Sequence, residues 1–433
     1  MVTAAPKIKA FVRHDTLPQA APPSAQTGVA RWLRENLFSS IGNSIMTLVA
    51  GYFLLQFMAA ILPWFLNGVW RADSIRDCRE QLDGATGGCF AVIAERWPQL
   101  VFGNYPSEHF GRAILAFVML FVALAPILFM ELPRKMLWFT GLFPFIAYWL
   151  IWGGTLWVPA LALAGVVAGV AVFRAIERSS FFGGLIAGLV ATVLFWLLLV
   201  APLSGALASV IPLRLDYVES REIGGFMINF ILGTSCIALS LPLGIALALG
   251  RQSNLPIIKW ICVMFIEFIR GVPLITLLFV ASVMLAYFLP PGTNFDLILR
   301  VIIMITLFAA AYMAEAIRGG LAALPKGQYE AGDSLGLDYW QSMRLIILPQ
   351  ALKICIPSIV NIAIGLFKDT TLVSIISMFD MLGMIKGPIL SNTDWFGVYW
   401  ELYAFAGLLF FIFTYGISQY SQYLERKLAT DHR

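Results

Sequence analysis

Ten apolar runs of membrane-crossing length limit what this chain can fold into. They lie near 43–67, 113–131, 136–153, 156–173, 182–202, 224–250, 257–289, 298–318, 351–388 and 398–423. A helix rises about 1.5 Å per residue, so about 20 residues cross the roughly 30 Å of bilayer hydrocarbon. Hydrophobic residues are 60% of the 433 and charged residues 12%, against about 25% charged in ordinary soluble domains. A soluble fold of this length has no interior large enough for that much apolar surface. The chain is expected to be an all-α integral membrane protein with many spans. Two runs, 257–289 and 351–388, exceed one crossing and carry helix-disturbing residues: Gly271 with Pro273, and Gly365 with Gly383. Each is expected to be a tilted or broken helix, or to include a re-entrant piece.

An even number of crossings puts both termini on one side, and the placement of cations chooses that side. Lys7, Lys9, Arg13, Arg31 and Arg34 precede the first run, and Arg134, Lys135, Arg174, Arg178, Arg251 and Lys259 fall in alternate connections. Arg426, Lys427 and Arg433 follow the last run. These segments are assigned to the cytoplasm. The loop 68–111 runs against the trend, with Arg71, Arg76, Arg79 and Arg96 on the external side. Residues 1–42 are polar and broken by Pro6, Pro18, Pro22 and Pro23. They read as a largely disordered cytoplasmic tail ending in an interfacial stretch near Arg31–Phe38, with no cleavable signal peptide. Residues 425–433 form a second cytoplasmic tail.

Between two of the apolar runs lies a polar stretch from Leu324 to Trp340. Pro325 suits the opening of a helix, since its missing N–H would be unpaired there anyway. Gly336 suits its end, in a left-handed conformation, and Asp338 suits the N-cap of the next helix. A compact helix outside the bilayer is predicted, of a kind that docks to a partner.

The spacing of Glu330, Ala331, Gly336, Ile346, Leu348 and Pro349 resembles the EAA loop of permease subunits of bacterial ABC importers. Gly332 stands where that pattern has a second Ala, at a helix cost of about 1 kcal/mol. The resemblance extends over 224–424. It rests on Gly224-Gly225, Leu249-Gly250-Arg251, the segment from Glu267 through Arg270, Gly271 and Pro273, the segment from Ala310 through Glu315 and Arg318 to Gly320, Pro325 to Gln328, and Lys368-Asp369-Thr370-Thr371-Leu372. These landmarks resemble the polar amino-acid branch of type I permeases. The resemblance implies a five-helix permease core, here preceded by about five extra transmembrane helices over 43–223, with a coupling loop over 319–350 that faces the cytoplasm. It implies an L-amino-acid substrate, a second homologous permease subunit, two ABC ATPase subunits and a periplasmic binding protein, all at a bacterial inner membrane. It also implies that ATP is bound by partner subunits and that the chain itself needs no cofactor.

Coupling to the ATPase is expected of Glu330, Ala331, Gly332, Leu335 and Gly336, with Arg318 and Lys326 beside them. Candidates for the substrate path are Glu267, Arg270, Glu315, Asp369, Thr370 and Thr371. Charges at membrane depth face a bundle interior or water. Glu267 with Arg270, and Glu315 with Arg318, each sit three residues apart on one helix face. They suit a polar path for a zwitterion or internal ion pairs that fix helix register. Asp369, Thr370 and Thr371 suit polar contacts to substrate or a capped helix break.

Residues 156–202 read as an added hairpin, whose Gly165/Gly169 and Gly184/Gly188 pairs permit close helix approach within it, or between two copies of the chain. Cys78 and Cys89 share the external loop, where a disulfide persists if geometry permits. Cys236, Cys262 and Cys355 read as small apolar packers. No G-x-x-x-x-G-K-[ST] occurs, and three His with five Cys form no metal cluster in sequence. An enzyme or a nucleic-acid partner is not expected. The rival transport class, an ion-coupled secondary carrier, predicts an inverted repeat that the two halves do not show.

Overall fold

The computed structural model describes residues 28–129, 131–284, 287 and 296–429. Most of the N-terminal tail, the C-terminal four residues and part of the 257–289 run lie outside them. Among the described residues, eight helices are long and apolar enough to cross a membrane, or ten if each of two bent pairs is one span. The chain divides into two units, Met1–Val69 with Leu82–Gly88, and Trp70–Gln81 with Cys89–Arg433.

In the first unit, α1 (Gly28–Asn36) is short and amphipathic, and α2 (Ile41–Leu66) is a 26-residue span with no buried side chain. Ser40 caps α2 by accepting from the Asn43 N–H at 3.1 Å.

The second unit holds α3 (Ile75–Leu82, whose last residue belongs to the first unit), α4 (Ala91–Phe102), α5 (Phe110–Leu128), α6 (Leu137–Trp152), α7 (Trp157–Ile176), α8 (Phe181–Leu198) and α9 (Val200–Val210). Next come α10 (Gly225–Gln252), α11 (Pro256–Gly271), α12 (Leu274–Phe279) and α13 (Leu297–Ala323). The rest are α14 (Lys326–Ser334), α15 (Tyr339–Ser342), α16 (Leu348–Asp369), α17 (Met381–Met384) and α18 (Tyr399–Ala429). A two-residue antiparallel pair, β1 (Gly154–Thr155) with β2 (Arg214–Leu215), ties the start of α7 to the end of α9.

Both overlong runs are broken, the 257–289 run at the expected Gly271–Pro273 step, but the 351–388 run at neither named glycine, since Gly365 lies within continuous α16 and Gly383 within α17. Pro273 lacks an N–H and forces Val272 into an extended conformation (φ −102°, ψ 131°). The chain turns by 101° between α11 and the segment starting at Leu274. Past Asp369, α16 tightens into a 3-10 turn over Thr370–Ile376, Ser377 takes φ +64°, and Asp380 caps α17. The 182–202 run bends by 52° between α8 and α9.

Lipid tails are as apolar as leucine, so helices in a bilayer associate by tight packing rather than by escape from water. The hairpin α7–α8 packs in this way: a Cβ on Gly188 would lie 2.8 Å from the Gly169 carbonyl oxygen. The glycine pairs thus serve the hairpin's own contact. The main interior joins Ile228, Leu232 and Cys236 of α10, Val301 and Ile305 of α13 and Leu366 of α16. Ala113, Leu150, Ile151 and Val218 of the N-terminal extension belong to the same interior.

At one end of α10, Gly225 pairs with Asp380 and Ile223 with Gly103. Cys78 and Cys89 are joined there by a disulfide, their Cα atoms 5.8 Å apart. The Cys89 N–H donates to the buried Glu401 carboxylate at 2.9 Å. The other end of α10, 28 residues along and about 40 Å away at helical rise, carries the features considered next.

Candidate functional site

The polar stretch after α13 folds as a rigid knob. Leu324 and Pro325 are extended, and α14 begins at Lys326. At its end the Gly336 N–H donates to the Asp333 carbonyl at 2.9 Å and the Leu337 N–H to the Gly332 carbonyl at 3.2 Å. These two bonds form a Schellman closure, which needs a left-handed residue, and Gly336 has φ +69°. Asp338 then caps α15 in a reciprocal box with Gln341, at 2.9 and 3.2 Å. The Gln350 amide donates to Gln328 at 2.9 Å, fastening α14 to the start of α16.

One face of α14 looks inward. Tyr329 packs on the cluster of Ile317, Leu321, Met343 and Ile347. Gly332 is buried, and a Cβ there would lie 2.5 Å from Ser342 Oγ. Its small size therefore serves contact within this chain, a correction to its expected place on the partner-facing surface. The Ser342 hydroxyl fills the space where an alanine methyl would stand. Lys326, Glu330, Ala331 and Leu335 face outward, and Leu335 is 72% exposed, unusual for a leucine on a polar loop. The Trp340 ring stacks on Phe181 of α8.

Beside the knob, at the ends of α10, α11 and α13, five charges form one cluster. Arg251 Nη1 lies 2.9 Å from Glu267 and 3.3 Å from Glu315. Arg270 lies 3.7 Å from Glu315, and Arg318 Nη2 lies 2.5 Å from the other oxygen of Glu315. The Arg270 guanidinium also sits 5.6 Å from the centre of the Tyr312 ring. Of the two expected i,i+3 pairs only Glu315–Arg318 forms. Glu267 and Arg270 each reach another helix instead, because α11 lies against the ends of α10 and α13. Arg318 belongs to this cluster and not to the knob's outer face. Arg251 was visible in sequence only as the cation closing the first core span. Its two partners lie 16 and 64 residues away, beyond any local signal.

The Lys368–Thr371 segment sits toward the opposite end. Thr370 is fully buried, accepts from the Asn229 amide at 2.9 Å and donates to the Phe367 carbonyl at 2.7 Å. The Thr371 hydroxyl donates to the Lys368 carbonyl at 2.8 Å, and Asp369 is half-buried. Thr370 is thus a strut of the helix end, in keeping with the capped-break alternative, and Thr371 makes a local bond in the same turn. Asn229 also reaches Asp380 at 3.4 Å. Asp380 lies beyond the span that ends at Ile376 and is fully buried. Burial raises its carboxyl to about 6, against the opposing pull of N–H donors from Gly383 and Leu382, the Asn229 amide and the charge of Lys386. No group of three or more His, Cys, Asp or Glu suited to a metal occurs among the described residues.

Fold and site together define a many-span helical membrane protein that presents one short, capped, largely exposed helix beside an inter-helix ion cluster. Residues 240–430 match the family model of the binding-protein-dependent transport system inner membrane component. The glutamate/glutamine/aspartate/asparagine transport system permease protein BztC of Rhodobacter capsulatus is 52% identical over 431 residues, covering 98% of this chain and 99% of that one. The inner membrane amino-acid ABC transporter permease protein YhdY of Escherichia coli is 38% identical, covering 92% and 93%. This chain belongs to the amino-acid ABC transporter permeases. A probable glutamine ABC transporter permease protein of Bacillus subtilis, GlnM, is 32% identical over 95% of its own length but only 49% of this chain. A permease of that kind therefore needs about half of these helices, and the rest are additions.

Proposed function

We propose that this chain forms half of the membrane channel of an importer for polar L-amino acids of the glutamate, glutamine, aspartate and asparagine class. A second, homologous permease supplies the other half. Two ABC ATPase subunits bind ATP and receive the knob, and a binding protein delivers substrate at the end that bears the Cys78–Cys89 disulfide. The knob then faces the cytoplasm, as do both termini, and the disulfide faces the oxidising periplasm. The chain itself is no enzyme and holds no cofactor.

The observation that carries this reading is the closure of α14 at both ends. A helix capped by Pro325 and by the Gly336 turn, and pinned at Tyr329 and Gly332, moves as a lever with the bundle. Its exposed Glu330, Ala331 and Leu335 supply a small, mixed surface that fits a groove. ATP-driven closure of the ATPases displaces the lever and shifts the permease pair between inward and outward openings. Each ligand drives that shift only through its differential affinity for the two states.

Reconstitution in vesicles tests it. The full assembly should import L-glutamate only with ATP and binding protein. Import by this chain without ATPases, driven by a proton or sodium gradient, would overturn the reading in favour of a secondary carrier.

A further inference from the structure

The added hairpin turns over beside the knob. Helix α7 ends at Ile176, a turn over 177–180 follows, and Ser180 caps α8 by accepting from the Gly183 N–H at 3.0 Å. The Ser179 N–H donates to the Ile176 carbonyl at 2.9 Å, and a Cβ on Gly184 would lie 3.1 Å from the Glu177 nitrogen, so the turn is tight. Stacked and edge-on rings fix its position. Phe173 of α7 meets Phe181 edge-on at 5.7 Å, Phe181 stacks on Trp340, and Trp340 meets Tyr339 edge-on at 5.1 Å. Arg174, Glu177 and Arg178 at this tip are exposed. Among the described residues, neither arginine makes an ion pair or a side-chain hydrogen bond.

The nine residues of α14 make a helix about 13 Å long. A stable protein interface buries about 800 Å² on each partner, a patch about 30 Å across. The knob alone is smaller than that, so a subunit seated on it covers neighbouring surface as well. Arg178 is three residues from Phe181, at most about 11 Å along the chain, and the Phe181 ring centre lies 5.7 Å from that of Trp340. The tip therefore falls within reach of such a patch. We propose that the tip of the added hairpin is a second docking element for the ATPase subunit, with Arg174 and Arg178 meeting carboxylates beside the groove that takes the knob. The inference rests on the function proposed above. A guanidinium offers carboxylates a planar fork of donors. Leu335, 72% exposed, and Tyr339, 49% exposed, supply apolar area between the two elements. Arginine and aromatic side chains are the types enriched at such interfaces. The added helices then enlarge the surface on which the ATPase sits.

The test uses the complete assembly in vesicles, with Cys262→Ser to lower background. Ser179→Cys and Leu335→Cys each carry a benzophenone photo-cross-linker on the new thiol. Both should capture the ATPase subunit. Capture of the ATPase from Leu335→Cys, with only lipid captured from Ser179→Cys, overturns the second element and leaves the proposed function standing. Capture of the ATPase from neither removes both readings. The charges are tested separately in phosphatidylcholine vesicles, where zwitterionic lipid keeps membrane charge out of the comparison. Arg174→Gln combined with Arg178→Gln should lower the affinity for the ATPase about three- to tenfold at low salt, and the difference should shrink in about 0.5 M salt. Affinity equal to that of the unmodified chain at low salt overturns the role of the two arginines.

Discussion

The Phe181 ring stacks on Trp340 with centroids 5.7 Å apart and planes 25° from parallel. Phe181 is the first residue of α8, in the added hairpin, and Trp340 lies two residues past Asp338, the cap that follows the knob. The extra helices therefore brace the segment that carries the knob.

An offset ring pair contributes about 1 kcal/mol beyond area burial. A double-mutant cycle on Phe181→Ala and Trp340→Ala, read by unfolding in detergent, should give a coupling energy of about 1 kcal/mol. Strict additivity would show that the hairpin lends the knob nothing.

The Gly332–Ser342 contact predicts a suppressor. A methyl on Gly332 would press to 2.5 Å from the Ser342 hydroxyl, with the Ser342 Cβ at 3.3 Å. Gly332→Ala should lower ATP-driven uptake without blocking membrane insertion, and Ser342→Gly should restore it. Uptake by Gly332→Ala equal to that of the unmodified chain would mean the knob shifts freely to accommodate the methyl.

Glu315 is the anion that three arginines share, and it is 24% exposed, whereas Glu267 is 53% exposed and meets one arginine. Removing the charge from Glu315 leaves Arg251, Arg270 and Arg318 to repel one another. Glu315→Gln should cost about 2 kcal/mol of stability, and Glu267→Gln less than about 1. Thermal unfolding of the two variants checks the order, and a reversal would deny Glu315 the central place in the cluster.

Asp380 predicts a pH dependence. Its folded carboxyl titrates near 6, above the ordinary 3.8. Between those values the folded state holds the proton and the unfolded state does not, so stability contributed by the neutral acid falls as pH rises through that window and is gone above about pH 6. Asp380→Asn cannot ionise. Its stability relative to the unmodified chain should therefore climb from pH 4 to pH 7, as read from melting temperatures in detergent. A flat difference would place the ionised carboxylate comfortably in its pocket.

Local signals were readable from the sequence, and long-range ones were not. Pro325, Gly336 and Asp338 act through their own backbone and nearest neighbours, so the limits of the knob could be read directly. Pro273 announced the 101° break for the same reason. By contrast, the Asn229–Thr370 bond joins residues 141 apart, and Arg251 meets Glu315 across 64. No periodicity encodes such pairings. The sequence left the Cys78–Cys89 bridge open because spacing does not report geometry. Which side of α16 faces outward became legible only once α10, α13 and α18 were seen to cover the other.

The most direct measurement is cross-linking from the knob. With Cys262→Ser as background, cysteine at Leu335 should form a disulfide or a short-linker cross-link with an ATPase subunit in membranes, and ATP should change its yield. The same chain with cysteine in place of Trp97 should form none. A Leu335 cross-link to no ATPase, or labelling of Leu335→Cys from the periplasmic side, would contradict the assignment of α14 as the coupling helix.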